Sequence, residues 1–402
     1  MKRKFPKTDI FLALFILLFG LFVYFFNIQN PNTYERYNSS TLSYERAKVL
    51  SIDAQQLTED TTTPGRYYGE QQITAQLLSG SRAGETVSVY NNLSTTHNIL
   101  LSEGQDFVAC LDQPDQADSY ITVYNYYRTP VIYIMIFLFL AVMVLIGRMK
   151  GFKSAVGLLF TFATILFLMI PMIYHGYSPV FSCILTVIVT TAVSLLLLNG
   201  ASAKTFCATA STALGVVFAG IIFSIFAVFF HISGFNTSEA EDLILISQST
   251  GLNIQDILFA SILIASLGAV MDVAMSISTA LHEVMLFSPQ ISAKELFLSG
   301  IRMGKDMIGT MSNTLILAFA GSCLTTILVF FSYHVQYQQL MNSDFITLEI
   351  AQGLSGTMAV VLTVPIASFI SAFVYHRQRV KKGRKAPVPQ ADEIEESAIQ
   401  GS

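Results

Sequence analysis

Asp272, in the run ASLGAVMDVAMSISTALHE, is an ionisable side chain inside an otherwise apolar stretch, 15 residues after Ile257 and 11 before Glu283. If that stretch is a helix crossing a bilayer straight, the carboxyl sits near mid-membrane, where a charge is costly and is a functional candidate by default. Two chemistries suit it. A carboxylate can pass a proton or cation along a path, or, neutral or hydrogen-bonded, it can join two helices. Helical spacing puts Ser261, Ala265, Gly268, Asp272, Ser276, Thr279 and Glu283 on one stripe. Its small residues would let a neighbour approach, so the stripe is expected to face the bundle interior, with Asn313 the favoured contact of Asp272.

A second polar set lies in GKDMIGTMSNTLILAFAG, Gly304 to Gly321. Asp306, Thr310 and Asn313 share a helical face with Ala320 further along, and Leu317 interrupts the polarity. Asp306 also reads as a plain acid at a helix start, where it complements the dipole. Further on, Glu349, Gly353, Gly356, Thr363, Ala367 and Ser371 form another small-and-polar stripe, with Pro365 as a kink candidate. Three consecutive spans with such faces imply a shared interior. The path candidates are therefore Asp272, Ser276, Thr279, Glu283, Asp306, Thr310, Asn313 and Glu349.

Other chemistry finds little support. His175, His231 and His334 fall at the outer ends of spans, and one outer loop adds Glu239, Glu241, Asp242 and Asp256. No HxxH or HExxH spacing occurs, so no metal centre is expected. The four cysteines, Cys110, Cys183, Cys207 and Cys323, form no CxxC pair and no disulfide framework. Walker, GxGxxG, GxSxG and kinase signatures are absent, so neither a cofactor nor a catalytic site is expected and the chain is not read as an enzyme. A net charge of −4 without a basic aromatic stretch argues against nucleic acid.

The elements that must position these residues are membrane spans. Of 402 residues, 52% are hydrophobic and only 12% charged, with mean hydropathy +0.55; a soluble domain carries about 25% charged residues. Eight runs are long enough to cross a bilayer: about Ile10–Phe26, Val131–Gly147, Ser154–Ile173, Pro179–Leu198, Thr205–Phe230, Ile257–Ala280, Met307–Phe331 and Glu349–Tyr375. The first follows Lys2, Arg3, Lys4 and Lys7 and lacks a small-x-small cleavage pattern, so residues 1–26 read as a retained signal anchor, a cleaved signal being the minor alternative. With the N-terminus in the cytoplasm, 17 of the 23 Lys and Arg lie inside and the three short outer loops contain none.

Residues 27–129 form a hydrophilic outer segment with 12 acidic and 6 basic residues. Its runs AKVLSID, QQITAQLL, ETVSVYN, DFVACL and ITVYNYY predict five short strands in a small β-barrel or sandwich, an OB-like barrel being one form, after a polar linker at Tyr34–Tyr44. Residues 130–376 are the seven-helix core. Residues 377–402, basic then acidic, read as a disordered cytoplasmic tail whose basic part can touch anionic headgroups. The fold class is an α-helical polytopic membrane protein with eight transmembrane helices and an extracytoplasmic β-rich domain.

GAVMDVAMSISTALHE followed by GKDMIGTMSNTLILAFAG resembles the YibE/F-like family of bacterial integral membrane proteins, over about residues 130–375. The resemblance implies a multi-span inner-membrane core, often with an outward N-terminal domain, and by itself no biochemical activity. In the family pattern an arginine usually precedes the aspartate where this chain has Lys305, so a point charge replaces a two-pronged guanidinium. Members without the outer domain suggest, through the resemblance, a paralogous membrane chain as partner; a homo-oligomer is the other arrangement. Besides the lipid bilayer, the expected partner is an unidentified small solute. The leading function is a permease-like transporter, proton- or cation-coupled through Asp272. The rival is a non-transporting scaffold or sensor whose outer domain binds an envelope partner.

Overall fold

The computed structural model describes residues 7–29, 42–112, 120–232, 244 and 253–383, with side chains at 7–9 and 379–383 left aside. The chain divides into two compact units, one over Arg36–Ile146 and one combining Met1–Glu35 with Gly147–Ser402.

The first unit is a closed barrel of five strands: β1 (Leu42–Glu59), β2 (Tyr67–Leu77), β3 (Thr86–Leu93), β4 (Asp106–Asp112) and β5 (Tyr120–Tyr126), in the order β1-β2-β3-β5-β4. All five predicted strand runs are present. The predicted linker is shorter than expected, because Leu42, Ser43 and Tyr44 already belong to β1 and pair with β4. One long strand closes the barrel: the first part of β1 pairs with β4 and the rest with β2. Bulges after Val49 and Ile52 supply the bend that this double pairing needs. β3 and β5 pair in parallel, and all other pairs are antiparallel.

Strict alternation along β3 sends Val87, Val89, Asn91 and Leu93 inward, where they join Ile73, Phe107 and Leu111. The buried amides Asn91 and Gln71 bond to each other at 2.9 Å and reach the carbonyls of Ile99 and Leu101, pinning that loop across the barrel. On the surface, Arg46 pairs with Asp106 at 2.6 Å, which raises the Arg46 pKa. Asp60 accepts from the Thr62 amide and hydroxyl and from Tyr68, and these bonds push its pKa down to about 2.

The helices are α1 (Lys7–Gln29), α2 (Thr129–Thr164), α3 (Ile170–Tyr174), α4 (Pro179–Asn199), α5 (Ala203–Phe229), α6 (Ile254–Phe287), α7 (Ala293–Ser322), α8 (Leu324–Ser332), α9 (Tyr337–Met341) and α10 (Asp344–Gly383). Among the described residues six helical stretches are long and apolar enough to cross a membrane, and the bent pair α7–α8 makes up to seven. One of the six is the continuous stretch Thr129–Tyr174, whose 46 residues run through α2, a π-helical turn at Ile165–Met169 and α3. It is broken at Arg148, where the backbone leaves the helical region (φ 50, ψ −129). That break falls between the second and third predicted spans.

Three boundaries differ from expectation. α7 starts at Ala293, not near Met307, because Ser292 and Glu295 form a capping box that nucleates the helix early. The seventh predicted span is not one helix: it bends by 55° between α7 and α8, at Cys323. α10 runs through Pro365 without interruption and on to Gly383, so residues 377–383 of the predicted disordered tail are helical; the remaining tail lies outside the described residues.

α10 is the centre of the second unit, packed against α5, α6 and α7. The approach is close because glycines meet side chains. Gly215 of α5 faces Thr363 and Val270, Gly300 of α7 faces Ser368 and Leu281, and Gly304 faces Val364, with no room for a Cβ at any of them. Thr363, Ala367 and Ser371 are fully buried here, so the expected small face of the last span does line the interior. At one end the Tyr375 hydroxyl donates to the Ser278 carbonyl (2.8 Å), and the Ser371 hydroxyl bonds that of Ser278 (3.2 Å).

α1 joins this unit through Phe19 against Phe160 and through Asn27, whose amide donates to the carbonyls of Val23 (2.8 Å) and Phe167 (2.9 Å). Pro171, four residues on, has no N–H to offer Phe167, so an amide from another helix supplies the donor.

Candidate functional site

The polar stripe of α6 does not face the interior. Ser261, Ala265, Gly268, Asp272, Ser276 and Glu283 are exposed, and nothing lies within 4 Å of where a Cβ would stand on Gly268. The buried edge is instead Ile262, Leu263, Ser266, Val270, Val273, Ala274, Ile277, Ser278 and Leu281, which packs in the core shared with α5 and α10. The room for close helix contact comes from glycines on α5 and α7, so the small residues around Asp272 are not needed for it.

On α7, Asp306, Thr310 and Asn313 are likewise exposed, and Thr310 bonds back to the Met307 carbonyl (3.1 Å). The expected Asp272–Asn313 hydrogen bond does not form, nor does either side chain bond to any other described residue. Thr279 is half-buried, and its hydroxyl has no partner among the described residues. Glu349 is half-buried, its Oε2 without a partner among the described residues, in a largely apolar cavity of about 330 Å³ that includes Cys323, the residue at the α7–α8 bend. The structure thus keeps Asp272, Ser276 and Glu283 on one face and Asp306, Thr310 and Asn313 on another, and sets Glu349 apart from both.

What the structure does gather is a set of hydroxyls. A crevice of about 300 Å³ runs between the second half of α2, α4 and α6. Its α4 wall carries Thr186, Thr190, Thr191 and Ser194; its α2 wall carries Lys153, Ser154, Gly157 and Thr161; its α6 wall includes Gly268 and Met271. Gly157 faces Ser194 across it, and a Cβ there would stand 3.4 Å from the Ser194 hydroxyl, in ordinary contact. The lining spans about eight turns' worth of side chains shared among three helices, and Lys153 and Leu198 mark one end.

Thr190 and Thr161 satisfy themselves locally, donating to the carbonyls of Thr186 (2.7 Å) and Gly157 (3.0 Å). Thr186 and Thr191 do not. Each is 1% exposed, and each hydroxyl lacks a partner among the described residues. A buried hydroxyl left unpaired loses about 1–3 kcal/mol of solvation without return, and two such hydroxyls belong to the crevice's α4 wall. Asp272 is not part of the lining, but it lies one helical turn beyond Gly268 and next to Met271, at the crevice's edge along α6.

The α4 hydroxyls were not among the sequence candidates. The signal was present: Thr186, Thr190 and Ser194 recur at i, i+4 and i+8 in TVIVTTAVS, with Thr191 beside them. Of the histidines, His175 stacks edge-on against Phe26 (5.2 Å), while His231 and His334 sit at helix ends with positive φ. Among the described residues no three His, Cys, Asp or Glu side chains converge as metal ligands. Glu239, Glu241 and Asp242 lie outside the described residues.

The family model described as YibE/F-like protein matches residues 135–377, which covers the crevice, α6 and α7 and excludes the barrel. Comparison with curated proteins and with solved structures gives no match.

Proposed function

The chain belongs to the YibE/F-like family, and from that premise we propose that it is a permease-like transporter in which the hydroxyl-lined crevice between α2, α4 and α6 is the solute path. The observation that supports this reading is the crevice itself, whose α4 wall carries Thr186, Thr190, Thr191 and Ser194, with the Thr186 and Thr191 hydroxyls unpaired among the described residues. Asp272 is the ionisable group beside the path, suited to proton or cation coupling. The reading assigns the chain no catalysis.

The architecture that goes with it has eight spans. The break at Arg148 splits the 46-residue stretch into two, and α7 with α8 is one broken span of the kind that transporters use. Both termini are cytoplasmic in a bacterial cell membrane, on the distribution of Lys and Arg. The barrel is extracytoplasmic and OB-like, in keeping with its strand order and the parallel β3–β5 pair. A second membrane chain, a paralogue or another copy, covers the exposed faces that carry Asp272 and Asn313, since an aspartate left to lipid costs about 2.5–3.5 kcal/mol even on the lenient insertion scale.

Flux into proteoliposomes containing the full chain, assayed with a metabolite mixture, tests the function. Uptake above empty liposomes that falls when Gly157→Leu fills the crevice is the expected result. No flux of any component removes the reading and favours the scaffold or sensor alternative. Asp272→Asn is expected to keep the fold while abolishing proton or cation dependence; a silent Asn with a destabilising Leu identifies helix glue instead. Cysteine labelling at Ser81 and Ser397 on a cysteine-free background tests the orientation, and labelling of intact cells at Ser397 alone overturns it.

A further inference from the structure

We propose that the exposed face of α7 is the seam of a two-fold dimer, in which a second copy of this chain lays its own α7 alongside in parallel. This rests on the reading that a second membrane chain covers that face, and goes beyond it by naming the chain and the register. Arg302, Asp306, Gly309, Asn313, Ile316 and Ala320 are all exposed and follow one another at alternating steps of four and three. That is the a/d spacing of paired helices, with Asp306, Asn313 and Ala320 at a and the other three at d. The opposite side of the helix, at Gly300 and Gly304, is already packed on Ser368 and Val364 of α10. Cys323, the next seam position, is buried, so the seam ends where α7 bends into α8.

Charge names the occupant. Arg302, Lys305 and Asp306 are exposed, and none of them has an ion pair among the described residues. In a parallel pair each a-position side chain enters a hole made by four residues of the facing helix. For Asp306 those four are Arg302, Lys305, Asp306 and Gly309 of the second copy. Each carboxylate therefore meets two cations and one acid, and the contact is self-complementary, as a two-fold interface requires. Asn313 is the second argument. It lies one heptad further along α7 and bonds no described residue. An amide both donates and accepts, so the two copies of Asn313 can satisfy each other, which lipid cannot do. A single a-position Asn is also the residue that fixes register in paired helices. Orientation is the third. Two copies of one chain insert the same way round, so α7 meets α7 in parallel and like positions share a depth. Gly309 and Ala320 keep the seam shallow, and alanine would serve at 309 as well.

The test is disulfide crosslinking of the full chain in native membranes, with the four native cysteines replaced. Ala320→Cys, on the seam, is expected to give a covalent dimer under a mild oxidant, and Ala318→Cys, exposed but off the seam, is not. With the 320 crosslink as readout, Lys305→Glu and Asp306→Lys should each lower the dimer yield about fivefold, and Asn313→Ala should lower it too. Two differently tagged copies, one carrying Lys305→Glu and the other Asp306→Lys, should crosslink to each other at the parent yield. A role confined to one chain would not be repaired in trans, so the repair also shows that both variants fold. No crosslink at 320, equal yields at 318 and 320, or no repair in trans overturns the dimer. A photoreactive benzoylphenylalanine at Leu317, beside the seam, separates that failure from failure of the reading beneath it. Self-crosslinking is the expected result. A product joining one copy to a different protein overturns the second copy and leaves the face covered, and no protein product at all removes both.

Discussion

Which face of α7 points inward is tested by two alanines five residues apart. At Gly304 a Cβ would overlap Val364 Cγ1 and lie 3.0 Å from Cγ2 and 3.2 Å from Cβ of the same residue. Val364 is 1% exposed and β-branched in a helix, so its side chain has no second rotamer to move into. α7 and α10 must then part, and overpacking of this kind costs about 1–3 kcal/mol. At Gly309 a Cβ meets nothing within 4 Å. Both substitutions gain the same helix propensity, about 0.8–1.0 kcal/mol.

That gain cancels in the comparison. Gly304→Ala should therefore be less stable than Gly309→Ala by about 1–3 kcal/mol, and Gly309→Ala should match or exceed the parent. The chain has no tryptophan, but Cys183 and Cys207 are fully buried, so a thiol-reactive dye reports thermal unfolding of the detergent-solubilised chain. Equal effects, or a larger loss at Gly309, would refute the placement of α7 and with it the exposure of Asp306 and Asn313.

The remaining predictions concern other parts of the chain. Asn27→Leu leaves the Phe167 carbonyl facing Pro171 with no donor and should lower stability by about 0.6–2 kcal/mol, read by the same dye; no change would mean that the bond is idle. Residues 42–128, which hold the barrel's own core, should give a β-rich circular dichroism spectrum in isolation, and a helical or coil spectrum counts against an independent domain. Asp60 is held near pH 2, below its ordinary 3.8, so its contribution is complete above that ordinary value and is lost as pH falls through the folded one. Acid unfolding of the isolated barrel between about pH 4 and pH 2 should be flatter in Asp60→Asn, and an unchanged profile would show that Asp60 does not couple to folding.

The barrel was legible because water lies on one side of each strand. Alternation in ETVSVYN and DFVACL marks which residues turn inward, and turn residues separate the runs. That the sheet closes as a barrel was one of the two forms expected; its strand order was not legible, since the parallel β3–β5 pair joins strands that are not consecutive and no local pattern announces it. The spans were legible from hydropathy, but not their inner faces. In lipid both sides of a helix are apolar, so polarity no longer points outward. α6 shows the consequence: serines occur on its buried edge (Ser266, Ser278) and on its exposed one (Ser261, Ser276).

The site escaped the sequence for a related reason. A search for costly groups finds carboxylates, and it found Asp272 and Asp306, which the structure leaves on the bundle surface. Threonine is β-branched and nearly the shape of valine, so Thr186, Thr190 and Thr191 pass as span filler until three helices are seen to converge on them. Which hydroxyl is free cannot be read from spacing at all. Thr190 and Thr191 are neighbours in sequence and both buried, yet one bonds its own helix and the other bonds no described residue. That difference depends on rotamer choice against the packing of α2 and α6. Replacing each in turn should separate them. Thr190→Val removes a back-bond of about 0.5–1.5 kcal/mol and should slightly destabilise, whereas Thr191→Val removes an unpaired hydroxyl and should stabilise. The reverse order, measured by dye-reported unfolding without added solute, would mean that the free hydroxyl is Thr190, one residue away on α4.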